Sequence, residues 1–68
     1  MKDRIIRSLL EQSRYYGLLS KRASRAAKRA TGPEKEILEE RAKRLLSVSQ
    51  DYFQRAETLK RAQDAEGR

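Results

Sequence analysis

Residues 26–38 read Ala26-Ala27-Lys28-Arg29-Ala30-Thr31-Gly32-Pro33-Glu34-Lys35-Glu36-Ile37-Leu38, and they decide the fold. Gly32 can adopt the left-handed conformation that stops a helix, and Pro33 is tolerated in the first turn of the next one. Thr31 and Glu34 have capping-box spacing, and Glu34 and Glu36 place negative charge where a helix begins. Thr31-Gly32-Pro33 is the only strong punctuation in 68 residues. The sequence therefore predicts one helical-hairpin domain over residues 1–68: a helix over about 3–30, a turn at 31–33, a second helix over about 33–65 and a frayed polar tail.

Moving outward from the turn, apolar and small residues recur at alternating steps of four and three. The first segment offers Ile5, Leu9, Gln12, Tyr16, Leu19, Ala23, Ala26 and Ala30, and the second Leu38, Ala42, Leu45, Ser49, Tyr52, Ala56, Leu59 and Gln63. Such a heptad seam belongs to near-antiparallel helices crossing at about 20°. No stretch alternates with period two, so the expected class is all-α, an antiparallel two-helix hairpin. Ile6, Tyr15 and Leu18 flank the first seam, and Leu46, Val48 and Phe53 the second. That is more apolar surface than a lone hairpin covers, so two hairpins are expected to pair as a homodimeric four-helix bundle. A chain this short generally needs such a partner.

Composition narrows the function. Cys and His are absent, which removes disulfides, thiolate or imidazole metal sites and the common nucleophile–base pairs. No enzyme, cofactor or metal site is expected. Glu36 and Glu40 stand one turn apart, but Lys43 and Arg44 beside them point to salt bridging. Aliphatic runs stop at two residues, as in Ile5-Ile6 and Leu9-Leu10, so neither a membrane span nor a secretory signal is read. A cytoplasmic location is expected, or a nuclear one in a eukaryote.

The chain carries seventeen Lys plus Arg against ten Asp plus Glu, a net charge of +7. All of that excess lies before Pro33, where nine basic side chains face only Asp3 and Glu11. The second segment balances itself through acid-first pairs four residues apart: Glu39 with Lys43, Glu40 with Arg44, Asp51 with Arg55, Glu57 with Arg61. With the first seam as written above, Arg7, Arg14, Lys21 and Lys28 fall on the outermost line, with Arg25 beside them and Arg22 and Arg29 adjacent. At 1.5 Å per residue the line runs roughly 32 Å, close to the ~34 Å of one turn of duplex DNA.

A cationic ridge on a rigid helix attracts polyanions through counterion release. RNA or DNA is the first partner read from it and an acidic protein the second. Leu10 and Leu18, off the seam, join Ile6 and Phe53 as a candidate contact for a protein partner. Tyr15-Tyr16 beside Arg14 could stack on bases, although their place near the seam favours core packing. Gly17, inside a helix, costs about 1 kcal/mol relative to Ala.

Two family resemblances follow. Two helices of similar length, a tight central turn and a short polar tail resemble the repressor-of-primer RNA-binding proteins of plasmids. That resemblance covers the whole chain and implies a homodimeric four-helix bundle with an RNA-binding face on the first helices. It rests on layout without a shared motif, so no binding residues are carried over. Tyr52-Phe53-Gln54-Arg55-Ala56-Glu57-Thr58-Leu59-Lys60 is similar to the last helix of MIT domains, three-helix bundles that bind helical tails of membrane-remodelling filament proteins. This chain has one helix fewer, and the resemblance implies a protein-interaction module.

Overall fold

The computed structural model describes residues 2–66. It is all-helical among those residues: α1 spans Lys2–Arg29 and α2 spans Pro33–Glu66. The two lie antiparallel in a rod of 55 × 14 × 12 Å. The tail expected to fray at Gly67-Arg68 lies outside the described residues, while Ala65 and Glu66 are still helical.

The turn is built as its residues dictate. The Ala30 N–H donates to the carbonyls of Ala26 and Ala27 at 3.1 and 3.3 Å, tightening the last turn of α1. Gly32 then takes φ 65°, where an L side chain would be strained. The capping box does not form. The Lys35 N–H instead donates to the Gly32 carbonyl at 3.1 Å, and the Thr31 hydroxyl has no hydrogen-bond partner among the described residues. Lys28 and Arg29 close α1 while Glu34 and Glu36 open α2, each complementing the local helix dipole.

The seam of α2 runs through the eight residues its periodicity marks, Leu38 to Gln63, all of them buried or half-buried. The seam of α1 is turned from its expected line. Leu9, Tyr16, Ala23 and Ala30 lie in it and Leu19 is half-buried at its edge, but Ile6, Ser13, Ser20 and Ala27 take the central line and Ile5, Gln12 and Ala26 are exposed. Half the set moves by one position, a rotation of about 50° at 100° per residue. Hydrogen bonding between the helices explains it. Ser13 Oγ donates to the Ser49 carbonyl at 2.9 Å, and Ser49 Oγ donates to the Ser13 carbonyl at 2.7 Å. Ser20 Oγ donates to the Ala42 carbonyl at 2.8 Å. A hydroxyl reaches a backbone carbonyl across an interface only where the helices approach closely, and small residues are accordingly the most enclosed: Ala27 is 3% and Ala56 2% exposed.

The middle of the seam is aromatic. Tyr16 stacks on Tyr52 at 5.7 Å with an 11° interplanar angle, and Tyr15 meets Tyr16 edge-on at 5.4 Å. Arg55 lies 5.9 Å from the Tyr52 ring centroid, within cation–π range. Gln63 Nε2 donates to Asp3 Oδ1 at 3.0 Å near the open end of the hairpin.

A Cβ placed on Gly17 would stand 3.4 Å from Ser49 Oγ, an ordinary contact. The glycine is therefore not required by packing. Gly17→Ala is expected to stabilise the hairpin by up to about 1 kcal/mol through helix propensity. A lower midpoint in a urea titration would show instead that the helices cannot give the methyl room.

Candidate polyanion-binding surface

The seam divides the rod's surface into two faces. On one, which we call the Phe53 face, α1 contributes Leu10, Gly17 and Ser24, and α2 contributes Glu39, Leu46, Phe53 and Lys60. Ser24, Glu39 and Leu46 line a shared groove there. On the other, the Arg41 face, α1 contributes Ile5, Gln12, Leu19 and Ala26, and α2 contributes Arg41, Val48 and Arg55. A groove lined by Leu19, Arg22, Ala26 and Arg41 marks it.

All seven cations singled out in the sequence are exposed: Arg7, Arg14, Lys21, Arg22, Arg25, Lys28 and Arg29. Among the described residues none of them has a carboxylate within ion-pair distance. The rotation of the seam rearranges them, however. Arg7, Arg14, Lys21 and Lys28 still form one line at seven-residue spacing, but it lies beside the Phe53 face and not on the crest. Arg25 is on the crest. Arg22 and Arg29 fall toward the Arg41 face, in the same row as Tyr15. The single ridge becomes two rows with Arg25 between them.

Tyr15 is 56% exposed, so of the tyrosine pair only Tyr16 packs into the seam. Its ring stands in line with Arg22 and Arg29, an aromatic face beside cations of the kind that single-strand binders use. Arg41 is a contributor that sequence reading passed over. It comes from the balanced helix, yet it shares a groove with Arg22. Its place next to the α2 seam, three residues after Leu38, was the available signal.

Of the four ion pairs expected along α2, the one formed joins Arg44 Nε to Glu40 Oε1 at 3.6 Å, with both side chains mostly exposed. Exposed pairs gain little against the entropy of holding two long side chains, so the other three are not made. Among the described residues no group of three or more His, Cys, Asp or Glu could hold a metal ion, and Glu40, one turn from Glu36, pairs with Arg44. No helix there is long and apolar enough to cross a membrane.

The candidate protein-contact residues separate as well. Leu10, Leu18 and Phe53 are exposed at 37%, 58% and 49%, whereas Ile6 is half-buried in the seam and packs between the helices. Comparison with protein-family models, curated proteins and solved structures gives no match.

Proposed function

We propose that this chain is a small non-enzymatic regulatory protein, a helical hairpin that dimerises and grips a polyanion, RNA or DNA, through the cations of α1. The observation that carries this reading is the exposure of seven cations on one helix, none paired with a carboxylate among the described residues. Surfaces without a charged partner normally mix both signs, as α2 does. The contacts would be mainly to phosphates, made by Arg7, Arg14, Lys21, Arg22, Arg25, Lys28 and Arg29, with Tyr15 and Arg41 at the margin. The resemblance of the two-helix sequence layout to repressor-of-primer proteins points to the same kind of partner, and a cytoplasmic or nuclear setting suits it.

Fluorescence anisotropy with a labelled RNA hairpin or a 20-base-pair duplex, titrated across salt concentrations, tests it. Four to six phosphate contacts give a slope of log K against log salt near −4 to −5, from roughly −0.9 per contact. A slope near zero overturns the reading. It would leave a second one, favoured by the exposure of Leu10 and Phe53 on one face. There the chain is a protein-interaction module, its charge serving to speed association with an acidic partner.

A further inference from the structure

The dimer named in the proposed function could pair its helices in two ways, and the charge beside the Phe53 face favours one. Resting on that dimeric reading, we infer that two copies join through their Phe53 faces with α1 of each beside α2 of the other, about a two-fold axis along the rod.

The apolar part of the argument is the poverty of the hairpin's own core. Among the described residues the buried hydrophobic ones are Ala23, Ala27 and Ala56, and no large side chain is fully buried. Meanwhile Leu46 is 48% and Phe53 49% exposed on one face, with Leu10 from the facing helix. Gly17 lies in the same strip and leaves a notch in it. The Arg41 face is a poorer candidate, because Arg41 and Arg55 sit in its middle. A second copy laid on the Phe53 face converts three exposed large side chains per chain into a core.

Charge chooses the arrangement. The α1 margin of this face is wholly basic: Arg7, Arg14, Lys21 and Lys28. The α2 margin reads Glu36, Lys43, Gln50, Glu57 and Asp64, net acidic. An axis along the rod keeps every residue at its own height and brings each basic margin against the partner's acidic one. Ser13 is level with Ser49 and Ser20 with Ala42, so Arg7 stands within about half a turn of the height of Glu57, and Lys28 of Glu36. Arg14 meets Gln50 and Lys21 the like charge of Lys43, so Arg7 and Lys28 serve the dimer while Arg14, Lys21, Arg22, Arg25 and Arg29 stay open to phosphates. An axis across the rod would instead lay the two α1 margins together, four cations against four.

Sedimentation equilibrium with charge variants tests the inference. Wild type is expected to be a dimer. Phe53→Glu, at a half-exposed position, is expected to keep its helical circular dichroism and weaken dimerisation at least about a hundredfold, since the site is lost in both copies. Arg7→Glu alone is expected to weaken the dimer about tenfold, and Arg7→Glu with Glu57→Lys to restore it. If Arg7→Glu tightens the dimer, the helices pair the other way and the inference is overturned. A dimer indifferent to Phe53→Glu overturns the choice of face while dimerisation stands. A wild-type monomer at 100 µM removes the dimer altogether, without touching the salt-slope test of polyanion binding.

Discussion

Ala56→Leu is expected to unfold most of the hairpin at room temperature. Ala56 is 2% exposed, the most enclosed apolar residue of the rod. Three added carbon atoms there cannot turn outward without leaving their rotamer wells, so the helices must separate. Overpacking alone costs about 1–3 kcal/mol. Separation also strains the reciprocal Ser13–Ser49 bonds two turns away, each worth about 1 kcal/mol net. A small two-helix chain has only a few kcal/mol to lose. Far-ultraviolet circular dichroism during a thermal scan checks the result, with Ala62→Leu, at an exposed position, as the control expected to stay within about 0.5 kcal/mol. If Ala56→Leu melts with wild type, the helices are not held as closely as the serine bonds require.

The second large effect concerns binding. Arg22, Arg25 and Arg29 are exposed along the crest of α1 and toward the Arg41 face, away from the strip proposed for the dimer. Replacing all three by Glu leaves the seam intact, so helicity should survive. If they contribute three phosphate contacts, the salt slope should flatten by about 2.7, which at 0.15 M salt corresponds to about a hundredfold weaker binding. Charge reversal adds repulsion beyond that. Equal affinity and an equal slope in the variant would mean that these arginines touch no phosphate.

The sequence makes the turn and the whole α2 seam legible, because Gly32-Pro33 has few other uses and the apolar residues of α2 are large and well spaced. The α1 seam was half legible for a definite reason. Ile5, Gln12 and Ala26 continue the heptad spacing and so read as seam, which leaves Ser13 and Ser20 out of it. A hydroxyl on a close-packed helix can bond a carbonyl of the other helix, and that preference, invisible to a hydrophobic pattern, turns α1 by about 50°. The candidate site inherited this error. Which residues are basic is plain in the sequence, and so is their concentration before Pro33. Their division into two rows depends on the rotation, and the arrival of Arg41 beside Arg22 depends on the antiparallel pairing. The ion pairs along α2 show the same boundary, since spacing states which partners can meet but not whether the gain exceeds the entropy lost.

The serine- and alanine-lined seam also has a calorimetric consequence. Heat-capacity change on unfolding grows with newly hydrated apolar surface and shrinks with newly hydrated polar surface. An interface in which hydroxyl–carbonyl bonds and methyl groups stand between half-buried Leu and Tyr side chains has less of the first and more of the second than a core of fully buried large residues. The isolated hairpin should therefore have a shallow stability curve, losing strength gradually over a wide span of temperature and gaining little from mild warming or chilling.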